Sequence, residues 1–225
     1  MYDNKPEIAV KQRGDMKLIP VVLSENIEDY GRKIAQAESF ADYVQVDFMD
    51  GKFVRSSTVS PVDVAEVKTS LKMEAHLMVK DPISYLKPLE GTAFRRAFFH
   101  YEAVSDHHSI IRQIKDMGMQ AGLAILPHTQ LDEFMDLASE VDAVLFLAVD
   151  PAVYGSPFHV EVLENIYEFK SFCMTAEVGL DGGITLENLD MIMGVEPDFI
   201  CVGRAIFDAS EPAMSFLEFQ RLIEK

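Results

Sequence analysis

The chain has 225 residues, 48% of them hydrophobic and 25% charged, with a formal net charge of −17 and a pI near 4.6. This length suits one α/β barrel domain, and so acidic a surface would repel a nucleic-acid backbone. Since no apolar run reaches signal-peptide or membrane-spanning length, we expect a cytoplasmic protein without nucleic-acid or membrane partners.

Short runs rich in β-forming residues alternate along the chain with longer segments of helical periodicity. Residues 1–16 are polar and predict an N-terminal extension, and residues 17–225 predict one barrel domain. Continuous apolar runs such as A-V-L-F-L-A-V are typical of strands covered on both faces. Strands are predicted at Lys17–Leu23, Tyr43–Asp47, Lys72–Leu77, Ala97–His100, Gln120–Ile125, Ala143–Val149, Thr175–Leu180 and Phe199–Val202.

Between these strands, apolar residues recur at the spacing of amphipathic helices. The clearest predicted helices are Glu28–Ser39, His108–Met117, Thr129–Leu137 and Glu161–Phe172. Eight strand-then-helix units favour a closed parallel (β/α)8 barrel over an open doubly wound sheet. No G-x-G-x-x-G follows the first strand, which weakens a dinucleotide-binding interpretation. In such barrels the chemistry takes place where the strands end.

Acidic and imidazole side chains fall at several predicted strand ends, among them Asp47, His76 and Asp181. Each has an ordinary structural explanation alone, because Asp often caps a helix and a lone His is usually just hydrogen-bonded. Together they would supply oxygen and nitrogen donors suited to a divalent transition metal. Two carboxylates on opposite sides of a substrate could also exchange protons with it. Further polar residues at strand ends are His100, Glu102 and Asp150.

Glycine turns follow the last two predicted strands, in D-G-G-I and V-G-R-A-I-F. Gly182, Gly183 and Gly203 would let backbone N–H groups approach a phosphate, with the positive end of the following helix directed at it. Arg204 is a candidate charge contact, unless it points outward. A tight turn that needs glycine is the alternative explanation for either segment.

Eight segments occur in a family-specific order: I-P-V-V-L-S at 19–24, V-D-F-M-D-G-K-F-V at 46–54, H-L-M-V-K-D-P at 76–82, H-Y-E at 100–102, A-I-L-P-H-T at 124–129, D-P-A-V-Y-G-S-P-F at 150–158, L-D-G-G-I at 180–184 and V-G-R-A-I-F at 202–207. By these motifs the chain resembles the ribulose-phosphate 3-epimerase family along nearly its whole length. The resemblance implies a (β/α)8 barrel that interconverts ribulose 5-phosphate and xylulose 5-phosphate through a metal-stabilised enediolate. It implies that Asp47 and Asp181 are the acid/base pair and also metal ligands, with His76 as a further ligand.

The resemblance also implies a set of residues that contact the sugar or its phosphate. Relatives of this family are often dimers or larger rings, so a homo-oligomer is compatible with it. The substrate- or phosphate-binding candidates are Ser24, Met49, Met78, Gly155, Gly182, Gly183, Gly203 and Arg204.

The chain departs from the family pattern at the site itself. The His that leads H-V-D-x-M-D-G, and would be a fourth metal ligand, is Gln45 here. Its neutral amide oxygen is a poorer ligand than imidazole for zinc or iron. We therefore expect a divalent ion (zinc, iron, manganese or cobalt) to bind weakly or not at all, or a harder ion such as manganese or magnesium to be preferred. Val21 replaces a serine, and the loop N-P-G-F-G-G-Q is D-P-A-V-Y-G-S, with Ala152 and Tyr154 at flexible positions.

Three hypotheses remain open at this point. The first is metal-assisted 3-epimerisation of a pentulose or hexulose phosphate by two-base proton transfer. The second is a catalytically weak or inactive sugar-phosphate-binding barrel, which the changes at Gln45, Val21 and the loop favour. The third is an aldolase- or decarboxylase-type barrel. An aldolase would need a lysine at a strand end, and Lys52 and Lys80 lie past the ends.

Overall fold

The computed structural model describes residues 16–153, 155–173 and 175–224. Of the predicted extension, only Met16 is among the described residues. Tyr154 also lies outside them. Each strand pairs in parallel with the next along the chain, and β1 also pairs with β8, so the sheet closes into a barrel. The strands are β1 (Lys17–Val22), β2 (Tyr43–Met49), β3 (Lys72–Met78), β4 (Phe94–His100), β5 (Gln120–Ile125), β6 (Ala143–Leu147), β7 (Glu177–Asp181) and β8 (Phe199–Val202).

Helices lie between and after these strands, which confirms the predicted α/β (β/α)8 barrel. They are α1 (Ile27–Ala37), α2 (Pro61–Glu66), α3 (Pro82–Leu86), α4 (His107–Asp116), α5 (Leu131–Phe134), α6 (Glu161–Phe172), α7 (Leu189–Met193), α8 (Arg204–Phe207) and α9 (Pro212–Ile223). The predicted helix Thr129–Leu137 is shorter: α5 is followed by a 3₁₀ segment, Met135–Ser139. Across the described ranges, no helix is long and apolar enough to span a membrane.

Alternate side chains of β2 enter different layers, because successive residues of a strand point to opposite faces. Val44, Val46 and Phe48 are buried in the outer core between the barrel and its helices. Gln45 and Asp47 lie between them and bond to side chains of other strands across the barrel interior. The polar residues that interrupt the apolar run of β2 are therefore those that line the interior.

An ion-pair network fills the interior near the start of the strands. Arg96 on β4 is 3% exposed and donates two hydrogen bonds, of 2.6 and 2.8 Å, to Glu74 Oε2 on β3. It also donates to Glu177 at 2.7 Å, and Glu177 accepts a further bond from Lys17 at 2.8 Å. Burial raises the pKa of Glu74, while the adjacent Arg96 opposes that rise. The pairing with Arg96 is what makes so deeply buried a carboxylate tolerable.

Glycines and phenylalanines pack against each other in the barrel interior. A Cβ added to Gly122 would lie 2.2 Å from the ring of Phe98, and one added to Gly179 would lie 2.2 Å from the ring of Phe199. Both rings are fully buried. Two phenylalanines thus occupy space that neighbouring glycines leave, as expected of the layered core of such barrels.

Candidate active site

Three strands bring Asp47, His76 and Asp181 together near the ends of β2, β3 and β7. The β2–β3 register sets Asp47 directly beside His76. His76 Nδ1 lies 3.1 Å from Asp47 Oδ1 and 3.5 Å from Asp181 Oδ2. One donor atom from each residue lies within 4.8 Å of the other two. The two carboxylates therefore converge on one imidazole rather than pointing apart.

The amide of Gln45 lies against the same cluster. Its Nε2 donates to Asp181 Oδ2 at 2.7 Å and to Asp47 Oδ1 at 3.0 Å, and lies 3.4 Å from His76 Nδ1. Its Oε1 accepts from Cys201 Sγ at 3.2 Å. An amide nitrogen is a donor and does not ligate a metal. Gln45 would have to turn its amide over before it could offer an oxygen to an ion.

His100 and Glu102 extend the cluster beyond the residues assigned a role above. His100 Nε2 lies 3.0 Å from His76 Nε2, and His100 Nδ1 lies 3.4 Å from Glu102 Oε2. Glu102 Oε1 accepts from the backbone of Leu126 at 2.9 Å and from Thr129 Oγ1 at 2.5 Å. The sequence placed both residues at the end of the fourth strand, and the H-Y-E motif was the signal for them. His100 thus contacts the Nε2 atom of His76, and Glu102 in turn contacts His100.

Protonation within this cluster follows from its geometry. Burial raises the pKa of the Asp47 carboxyl, and the neighbouring Asp181 carboxylate adds to that rise. Burial alone would lower the pKa of His76, but hydrogen bonds to Asp181 and Asp47 outweigh it and raise the pKa to about 10. Burial lowers the pKa of His100 to about 4. A neutral His100 can therefore accept a hydrogen bond from a protonated His76, as the contact between their Nε2 atoms requires.

The donor set of Asp47, His76 and Asp181 fits a divalent ion. Two carboxylate oxygens and one imidazole nitrogen are ligands that such ions take in proteins, with further positions left for substrate or water. A ligating imidazole nitrogen must be unprotonated, so an ion would have to displace a proton from His76.

Two predicted substrate-contact residues, Met49 and Met78, form a small buried cluster with Val54. Phe53 and Ala152 pack against it. Met49 and Met78 each lie two residues beyond Asp47 and His76, and therefore on the same inner face one step nearer the mouth of the barrel. The loop after β6, which contains Ala152, thus contacts the residues at the mouth.

The glycine turns after β7 and β8 have structural requirements of their own. Gly182 has φ +98° and Gly183 has φ +66°, and a Cβ on Gly182 would lie 2.5 Å from Val149 Cγ2. After them, α7 begins only at Leu189, and α8 has four residues. Residues between Gly183 and Leu189 include a turn, so the start of the following helix is separated from the two glycines. Arg204 is exposed at the start of α8.

Two further predicted contact residues, Ser24 and Gly155, have different surroundings. The Ser24 hydroxyl is buried and donates to Asp29 Oδ2 at 2.8 Å, so it holds the start of α1. Gly155 is exposed with φ +73°. Ala152 in the same loop has φ +59°, a backbone conformation that glycine adopts far more easily than alanine.

Comparison with known sequences shows an extended similarity. The profile of the ribulose-phosphate 3 epimerase family matches residues 17–207. The chain is 28% identical over 202 residues to ribulose-phosphate 3-epimerase of Schizosaccharomyces pombe, covering 87% of this chain and 89% of that protein. It is 29% identical over 215 residues to the Bacillus subtilis protein of the same name, covering 91% and 98%.

Among solved structures, the fold is similar to that of 3-hexulose-6-phosphate synthase from Salmonella typhimurium. The TM-score is 0.71 at 16% identity, covering 92% of this chain and 98% of that one. Orotidine 5'-monophosphate decarboxylase from Sulfolobus solfataricus gives a TM-score of 0.66 at 12% identity, covering 93% and 98%. These likenesses support the same barrel architecture.

Proposed function

This chain belongs to the ribulose-phosphate 3-epimerase family, and from that premise we propose that it inverts the C3 centre of a ketose phosphate. The substrate class is ribulose 5-phosphate and xylulose 5-phosphate or a related pentulose or hexulose phosphate. The observation that carries the proposal is the convergence of Asp47 from β2 and Asp181 from β7 on His76 Nδ1. Two acidic groups on different strands can reach one carbon from different sides.

The two carboxylates have complementary tasks in this reaction. A proton at C3 is weakly acidic because it neighbours a ketone, and inversion requires its removal on one face and return on the other. One carboxylate takes the proton and the second, in its acid form, returns one. Burial, which raises the pKa of Asp47, makes it a stronger base than an ordinary aspartate and a carboxyl that retains a proton more readily.

Charge develops on the substrate oxygens when the proton leaves. A divalent ion held by Asp47, His76 and Asp181 would stabilise that negative charge as a Lewis acid. Without an ion, the positive charge of protonated His76 would be the alternative source of stabilisation, since an ion would displace that proton. The contacts of His76 with Asp47 and Asp181 hold its ring in place before substrate arrives, so little reorganisation is needed.

The substrate phosphate is proposed to bind at Gly182, Gly183, Gly203 and Arg204. The backbone conformations of Gly182 and Gly183 and the exposed position of Arg204 support this. Met49 and Met78 would cover the sugar from the mouth of the barrel. Cytoplasmic location and homo-oligomerisation stay predictions.

The test is hydrogen–deuterium exchange at C3 in D2O, with a panel of pentulose and hexulose phosphates and with and without added manganese, zinc or iron. Asp47→Asn and Asp181→Asn should each slow turnover by roughly 10²–10⁴-fold, the usual contribution of a general acid or base. Asp116→Asn, at an exposed carboxylate ending α4, is the matched control and should leave the rate unchanged. Near-normal rates in either site variant would contradict the two-base scheme.

The second candidate function is sugar-phosphate binding without turnover. The position of Gln45 favours this function, because its amide nitrogen donates hydrogen bonds to both Asp47 and Asp181. An ion or a substrate would have to displace this amide to reach the two carboxylates. Calorimetric binding of a ketose phosphate together with no exchange on any member of the panel would select this function.

A further inference from the structure

A second group of imidazoles and carboxylates lies apart from the Asp47–His76–Asp181 cluster and shares no residue with it. His128 follows β5, Asp150 follows β6, and His159 and Glu161 lie where the loop after β6 meets α6. The rings of His128 and His159 meet edge to face, with centroids 4.9 Å apart and planes at 85°. None of these four residues has a role in the proposed epimerisation.

The spacing of the donor atoms in this group suits a metal ion. One donor atom each from His128, His159 and Glu161 lies within 4.8 Å of the other two. Glu161 Oε1 lies 3.1 Å from His159 Nδ1, near the separation of about 3.4 Å between two ligands of a tetrahedral ion with bonds of about 2.1 Å. Asp150 lies at the other nitrogen of the ring, with one oxygen 3.4 Å from His159 Nε2 and the other 3.7 Å from His128 Nε2. Because the two nitrogens of an imidazole point in different directions, Asp150 can orient the His159 ring but does not bind the same ion.

We propose that His128, His159 and Glu161 form a second divalent-cation site, with Asp150 positioning the His159 ring from its other nitrogen. Two imidazoles and a carboxylate are a donor set that zinc favours, whereas calcium and magnesium prefer oxygen ligands alone. The site therefore takes an ion of the zinc class. It rests on these residues alone and holds whether or not the chain is an epimerase.

The loop after β6 is already shaped for this site. The N–H of His159 donates to the carbonyl of Ala148 at 2.7 Å, and the N–H of Asp150 donates to Ser156 Oγ at 2.9 Å, so the two ends of the loop are held close together. The His159 side chain is 14% exposed and that of His128 is 68% exposed. His159 is therefore fixed in advance, and His128 is the ligand with freedom to adjust.

A bound ion would join the loop after β5 to the loop after β6, at the end of that loop where α6 begins. Ala152 of the second loop packs against the cluster of Met49, Met78 and Val54 at the mouth of the barrel. The ion would consequently stabilise this loop in its present position against the mouth. Its effect on the protein would be structural, through a loop that borders the barrel opening.

The experiment is equilibrium dialysis of the untagged full chain against zinc, with cobalt absorption as a second readout of tetrahedral coordination. All measurements are made in a His76→Asn background, which removes a ligand of the first cluster. We expect one equivalent of zinc to remain bound in that background. His128→Gln, His159→Gln and Glu161→Gln should each weaken its binding at least tenfold.

The matched control is His108→Gln, since His108 is also exposed and pairs with a carboxylate, Glu140, at 3.0 Å. It should bind zinc as the background does. Circular dichroism checks that each variant is folded, and the exposed position of His128 makes its variant the decisive one. Undiminished zinc binding in folded His128→Gln would overturn the proposal, and so would an equal loss in His108→Gln or no loss in Glu161→Gln.

Discussion

The side-chain amide of Gln45 and the carboxylate of Asp181 are joined by a 2.7 Å hydrogen bond across the barrel interior. The same nitrogen also bonds Asp47, so one neutral group bridges two acidic ones. The positive charge that balances them resides on His76, whose pKa the two carboxylates raise to about 10. In the absence of an ion, hydrogen bonds and the proton of His76 hold this cluster together.

Replacing Gln45 by histidine should strengthen metal binding. The substitution restores the residue found at this position in the family pattern and adds an imidazole nitrogen to Asp47, His76 and Asp181. We expect the affinity for zinc or manganese at this cluster to rise by roughly tenfold or more. Even losing a residue that only supports a ligand typically lowers metal affinity by about 10–100-fold. Calorimetric titration in a His128→Gln background isolates the cluster. Gln45→Leu removes the competing amide without adding a ligand, so the affinity gained in Gln45→His should exceed any gain in Gln45→Leu.

Metal affinity at the Asp47–His76–Asp181 cluster should depend steeply on pH. His76 is protonated below its pKa of about 10, and an ion can bind its ring nitrogen only after displacing that proton. Affinity should therefore rise with pH, by about tenfold per unit between about pH 6.5 and 8.5, with about one proton released per ion. Manganese titrations in buffers of different ionisation enthalpy measure both quantities. An affinity that stays flat over this range would show that His76 does not lose a proton on binding.

Replacing Arg96 by methionine should destabilise the barrel strongly. Arg96 is the buried partner of Glu74, and removing one member of a buried ion pair typically costs about 3–5 kcal/mol. Urea unfolding should show this loss, and Arg96→Met combined with Glu74→Leu should recover much of it. Lys17→Met is the control: Lys17 pairs with Glu177 while 61% exposed, so its loss should cost about 0–1 kcal/mol.

Two glycine-to-alanine substitutions should act in opposite directions. A Cβ at Gly179 would lie 2.2 Å from the buried ring of Phe199, and such overpacking costs about 1–3 kcal/mol. Gly31 lies inside α1, and a Cβ there meets nothing within 4 Å. Gly31→Ala should stabilise the protein by about 0.5–1 kcal/mol. Thermal unfolding of both variants checks the signs, and Phe199→Leu should relieve Gly179→Ala if the ring is the cause.

The barrel could be predicted from sequence because its strands are nearly continuous apolar runs separated by helical periodicity. Two strands, Gln120–Ile125 and Phe199–Val202, were predicted with the observed bounds. The strand predicted as Ala143–Val149 ends at Leu147, because apolarity does not distinguish a strand from the buried segment after it. The helix predicted as Thr129–Leu137 is divided, since spacing alone does not separate an α-helix from a 3₁₀ segment.

The site was predictable only in part. Strand-end position singled out Asp47, His76 and Asp181, which the structure brings together. The direction of the Gln45 amide was not predictable, because it depends on Cys201, which lies 156 residues away along the chain. Nor could the sequence show that His100 contacts His76, since that contact needs the β3–β4 pairing as well as both rotamers.

The alternation along β2 separates two kinds of evolutionary change. Val44, Val46 and Phe48 contact the helical layer, whereas Gln45 and Asp47 contact the interior. A point substitution at an inward position can therefore alter chemistry while the outer packing persists. An insertion of a single residue within the strand would exchange the two faces and bury Asp47 among aliphatic side chains. The outer packing should accordingly tolerate side-chain exchanges at inward positions of β2 better than a change in the length of the strand.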